Sequence, residues 1–143
     1  MPVEQHGRRE MALQQLETAL AIYFERRDYY SVITLAGAAD EIFGQLLQAS
    51  GEEPRLESIK KSVVAIFERL NGRSLNPLWV AERANLARNA LKHWNEGKPL
   101  IVKFDAVQEA KDMLTRAIAN YWALEEMLSP AMQRFQNELF VVV

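Results

Sequence analysis

Along most of the chain, apolar residues return every three or four positions, the period of an α-helix with one face turned inward. Residues 10–28 carry Leu13, Leu16, Leu20, Tyr23 and Phe24 at that spacing, with Glu17 and Glu25 outside. Arg26 and Arg27 fall near the C-terminal end of this stretch, where cations suit the helix dipole. Residues 1–9 are polar and are expected to fray. The second stretch, SVITLAGAADEIFGQLLQAS, can be capped by Asp28 or Ser31. It is apolar around most of its circumference, which predicts the central and most buried rod of a bundle. Gly37, Glu41 and Gly44 share one side of it, and a glycine costs about 1 kcal/mol relative to alanine in a helix interior. Close approach of a neighbouring backbone beside Asp40 and Glu41 is therefore expected. Those carboxylates either pair with an Arg or Lys of another helix or reach solvent along a narrow outer stripe.

Ser50 and Gly51 end that rod, and Pro54 restarts the chain for a third helix with the stripe Leu56, Ile59, Val63, Ile66, Phe67 and Leu70. Asn71-Gly72 stops it. Residues 76–96, NPLWVAERANLARNALKHWNE, then predict one helix capped by Asn76 with Pro77 in its first position. On a wheel, Val80, Ala84, Ala87, Leu91 and Trp94 gather on one side. Asn85, Arg88, Asn89, Lys92, His93 and Glu96 gather on the other. The segment KPLIVKFD reads as an extended linker with one turn of strand at most. Asp105 and Gln108 form a capping-box-like start for a helix with Val107, Ala110, Leu114, Ala117, Ile118, Tyr121, Leu124 and Leu128 at helical period. Ser129-Pro130 opens a last short helix, and the apolar tail over 139–143 is expected to dock on its own domain or on a second subunit. The sum is an all-α, up-down bundle of about five helices plus a short C-terminal one, in a single domain over residues 1–143.

Composition narrows the chemistry. There is no cysteine, which removes disulfides, thiolate catalysis and Cys-ligated zinc together. Neither a signal-peptide-like apolar core nor a run long enough to span a bilayer is present, so a cytoplasmic protein without a membrane partner is expected. The net charge of -2 conceals a basic middle segment, residues 55–103, which carries a balance of +6 between acidic flanks. Such a segment either forms a patch for a phosphate-bearing partner or attracts the acidic helices within the fold. No glycine-rich phosphate loop, HExxH, GxSxG or di-iron ExxH pair occurs, so metal and P-loop chemistry are not expected. Of the two histidines, His6 lies in the polar start, which leaves His93 to carry any acid-base chemistry near neutral pH.

The run Arg88-Asn89-Ala90-Leu91-Lys92-His93 resembles the signature of the HEPN superfamily, small helical bundles in which an arginine and a polar neighbour precede a histidine by four to six residues. The resemblance implies a homodimer in which two copies of this helix meet, since Arg88 and His93 lie about 140° apart around a helix axis and do not converge within one subunit. It also implies metal-independent RNA cleavage, with no cofactor, by a toxin or defence protein. Arg88 would stabilise phosphoryl charge and His93 would act as general acid or base. Asn89 would orient the imidazole or touch a phosphate, Asp40 or Glu41 would supply the acidic residue of an earlier helix, and Asn85 and Lys92 would contact RNA. A cognate antitoxin or a nucleotidyltransferase-type partner would follow from the same family. The alternative is a non-catalytic HEPN-like module that holds a nucleotide or a partner protein.

Overall fold

A computed structural model describes residues 2–140 of the chain; of the apolar tail, positions 141–143 lie outside that range. Seven helices occur among the described residues: α1 (Arg8–Phe24), α2 (Tyr29–Ala49), α3 (Arg55–Asn71), α4 (Pro77–Ala84), α5 (Leu86–Lys92), α6 (Ala106–Glu125) and α7 (Pro130–Leu139). The fold is all-helical. No strand occurs among the described residues, and the linker before α6 is irregular.

The caps explain most boundaries. Asp28 accepts from the Ser31 N–H at the start of α2, and Asn76, Asp105 and Ser129 do the same for α4, α6 and α7 through Leu78, Gln108 and Met132. Only half of the capping box at α6 forms, because the Gln108 amide donates forward to Asp112 at 2.8 Å. Gly72 takes the left-handed conformation, φ 67, that ends α3. α1 begins at Arg8, inside the stretch expected to fray, and Arg9 pairs with Glu125 at 2.7 Å.

The α2 rod packs chiefly against α6 on one side and α1 on the other. Its Val32, Ile33, Ala36, Ala39, Phe43 and Leu47 are fully buried, as expected for the most apolar segment. Leu16 and Leu20 of α1, Met113, Leu114 and Ile118 of α6 and Met132 and Phe135 of α7 complete the core. Each of these large side chains contributes roughly 1.5–3 kcal/mol when buried.

Two sequence expectations fail here. The apolar stripe of α3 is not core: no α3 residue is buried, and Val63, Ile66 and Leu70 are 36%, 60% and 77% exposed. The reason is position, since α3, with Pro54 buried just before it, packs against α4 and α6 far less closely than α2 packs against its neighbours. Periodicity reports an amphipathic helix but not whether the fold supplies a partner for its apolar face. The second failure lies in residues 76–96, which form two short helices meeting at Asn85 and ending at Lys92.

Candidate functional site

The break at Asn85 is made by a side chain from α6. Arg116 Nη1 donates to the Ala84 carbonyl at 3.2 Å and to Asn85 Oδ1 at 2.9 Å. A buried cation thus competes for the last carbonyl of α4, and a helix bends or breaks where a side chain inserts into its ladder. Asn85 is therefore buried, with φ -107 and ψ 7, and does not belong to an exposed polar stripe. The Asn85 side-chain oxygen is committed to Arg116, while the residue still lines the cleft that holds Arg88.

Arg116 also donates through Nη2 to Asp40 Oδ2 at 2.7 Å, and both side chains are 5% exposed. Asn120, one turn further along α6, donates to Asp40 Oδ1 at 2.9 Å and accepts from the Arg55 N–H at 2.8 Å. One buried carboxylate thereby ties α2, α6, the α4/α5 junction and the first turn of α3 together. Burial pushes the Asp40 carboxyl above its usual range, while the Arg116 guanidinium, and more weakly that of Arg88, pull it back. Burial likewise lowers the Arg116 pKa, opposed by Asp40. The acid therefore pairs with an arginine of another helix, and Glu41, one residue on, is exposed.

Arg88 occupies the space that Gly37 leaves. A Cβ at residue 37 would lie 2.6 Å from Arg88 Cδ and 2.9 Å from its Cγ, so the glycine admits this side chain and α5 can close on α2. The neighbour that the glycine accommodates is thus an aliphatic side-chain stem and not a backbone. Gly44, two turns along α2, does the same for Pro54 and Asn120 at ordinary contact distance. Arg88 is half-buried, and its Nε is buried without a partner. Asp40, Glu41, Asn85 and Arg88 line one cleft of about 170 Å³, together with Arg116 and Asn120.

His93 stands elsewhere. It lies beyond α5 in extended conformation, φ -131 and ψ 131, and is exposed. Asn89 reaches it through the backbone, with the His93 N–H donating to the Asn89 carbonyl at 2.9 Å; the side chain of Asn89, like Lys92, is exposed. After His93 the chain turns away, held by Trp94 Nε1 donating to the Lys98 carbonyl at 3.3 Å and by Gly97 at φ 94. Trp94 is consequently 60% exposed and leaves the core face assigned to it on a continuous wheel.

Arg116 and Asn120 belong to no motif that stands out in the sequence. A signal was available: Arg116 falls three residues from Met113 and Asn120 three from Ala117, inside the buried face of α6. A cation and an amide on such a face require a buried acceptor, and Asp40 is the one acid on the otherwise apolar α2 face. Among the described residues no three His, Cys, Asp or Glu side chains cluster as metal ligands would. Likewise, no described helix is long and apolar enough to cross a membrane.

Set against protein-family models, curated proteins and solved structures, the chain matches none.

Proposed function

We propose that this protein is a HEPN-like, RNA-directed homodimer that cleaves RNA without a metal ion. The supporting observation is the seat of Arg88, bedded over Gly37 in the cleft that also holds Asp40, while His93 stands exposed just past the end of the same short helix. An arginine held at its stem, near a buried acid already satisfied by Arg116, keeps a guanidinium end for a phosphodiester. His93, at the surface, is free to meet the same stripe of a second copy across a two-fold axis. In that cleft the ribose 2'-hydroxyl, giving up its proton, attacks the adjacent phosphorus as the P–O5' bond breaks, leaving a 2',3'-cyclic phosphate on one fragment and a protonated 5'-hydroxyl on the other. His93 transfers the proton and Arg88 stabilises the growing phosphoryl charge. Glu41, which lines the Arg88 cleft, and Asn89 and Lys92, on the helix that ends before His93, are all exposed and would contact RNA beside the reacting groups.

The test is incubation of the wild type with mixed RNA substrates in EDTA, followed by detection of 2',3'-cyclic phosphate ends. His93→Ala and Arg88→Ala are each expected to lose about 10² to 10⁴ in rate, as removal of a general acid-base or of a cation at developing charge does. The two losses should not multiply, because both groups serve one transition state. Cleavage that survives His93→Ala would refute the mechanism.

One observation favours a second reading, a non-catalytic interaction module. Val63, Ile66 and Leu70 of α3 are exposed, and half-exposed Trp79 of α4 lines one hollow with Val63, an apolar surface that a partner protein would cover. Under that reading the wild type cleaves no RNA and captures a protein through α3.

A further inference from the structure

Away from Arg88, the turn from α1 into α2 and residues of α6 and α7 line a half-open hollow of about 640 Å³. That is within the roughly 300–1,000 Å³ of small-molecule sites. Its walls combine two chemistries. Tyr23, Phe24 and Tyr29 provide aromatic surface, with Tyr23 edge-on to both of the others at 5.8 and 6.2 Å between ring centres. Arg26, Lys111 and Arg134 bring three cations, against the single carboxylate of Glu138.

Those cations are not equivalent. Arg134 is already engaged, stacked 3.9 Å over the Phe24 ring and 3.5 Å from Glu138. Arg26 and Lys111 form no ion pair with any described residue. Arg26 also sits in the left-handed region, φ 55, where glycine or asparagine would end the helix with less strain. The turn requires that backbone but does not require an arginine. A strained residue whose side chain lines a hollow points to a use for that side chain. The Tyr23 hydroxyl is raised by burial and by Glu138, so it stays protonated at neutral pH and can donate a hydrogen bond.

Two unpaired cations ask for an anion of phosphate type, and an aromatic wall beside them asks for a flat ring on the same molecule. We propose that this hollow binds a nucleoside monophosphate, its phosphate held by Arg26 and Lys111 and its base set against the wall formed by Tyr23 and Tyr29. Little base preference is expected, because every base offers a π-face to an aromatic side chain. The site is independent of the Arg88 cleft, with which it shares no residue.

Isothermal titration of the full chain with AMP, adenosine and inorganic phosphate tests it. AMP binds, and adenosine and inorganic phosphate each bind at least about tenfold more weakly, since each lacks one half of the recognition. Arg26→Glu, at an exposed residue, and Lys111→Glu, at a part-buried one, each weaken AMP by about tenfold or more, and Tyr29→Leu weakens AMP by removing the aromatic ring while keeping an apolar side chain. Arg88→Ala leaves AMP binding as in the wild type. Four results overturn the proposal: no AMP binding at millimolar concentration, inorganic phosphate binding as tightly as AMP, AMP binding that ignores both charge reversals, or AMP binding lost in Arg88→Ala. Loss of AMP binding in Arg88→Ala alone would place a nucleotide in the other cleft and overturn this site without touching the RNA reading.

Discussion

Removing Arg116 should be the most damaging single change to this fold outside the apolar core. Arg116→Met keeps the length and apolar stem of the side chain but leaves the Asp40 carboxylate, 5% exposed, with only Asn120 as donor. It also strips the Ala84 carbonyl and the Asn85 side-chain oxygen of their shared donor. Breaking a buried pair by removing one partner costs about 3–5 kcal/mol, a large part of the roughly 5–15 kcal/mol that holds an ordinary domain together. With a urea dependence of about 2 kcal/mol per molar, the unfolding midpoint should fall by about 2 M. Asp40→Leu should cost a similar amount by stranding the guanidinium. The double variant removes both charges, and its loss should fall short of the sum of the singles by about 2 kcal/mol or more, because the second change removes the charge that the first left unpaired. Urea unfolding followed by circular dichroism reads all three. Additive losses, or a midpoint shift below about 0.5 M for Arg116→Met, would mean that water reaches Asp40 and that the cluster is not a buried keystone.

Three further outcomes are expected. Leu91→Asp should lower stability by roughly 2 kcal/mol or more, since Leu91 packs against the core, while exposed Lys92→Asp stays within about 0.5 kcal/mol; equal melting temperatures would refute the assigned faces of α5. Gly37→Ala gains about 1 kcal/mol of helix propensity but sets a Cβ against the Arg88 stem, so melting should change little or fall while RNA cleavage drops; cleavage at the wild-type rate would separate Arg88 from the reaction. Hydrogen bonds from the Ser31 hydroxyl and N–H hold the Asp28 carboxyl below its usual range, so its contribution is present at neutral pH and is lost as pH falls through that depressed pKa. The melting-temperature gap between wild type and Asp28→Ala should accordingly narrow in acid, and a gap that stays constant from neutral pH to strong acid would show that the cap does not depend on the carboxylate's charge.

Local information decided much of this protein. The helical class, the burial of the α2 rod and the caps at Asp28, Asn76, Asp105 and Ser129 follow from period and from short-range hydrogen bonds, both of which are written in contiguous residues. The glycine at position 37 likewise announced that something would press against α2 beside Asp40. What pressed there, and with what effect, belonged to contacts between residues distant in the chain. Arg116 and Asn85 are 31 positions apart, and they meet where the helix breaks and Asn85 is buried; His93 and Trp94 leave a wheel on which they fit well because α5 ends at Lys92 and the chain turns at Gly97. The exposure of Val63, Ile66 and Leu70 was decided in the same way. An amphipathic period fixes which side of a helix is apolar, whereas the packing of the other helices fixes whether that side meets a neighbour, and in this chain α2 is already covered by α1 and α6.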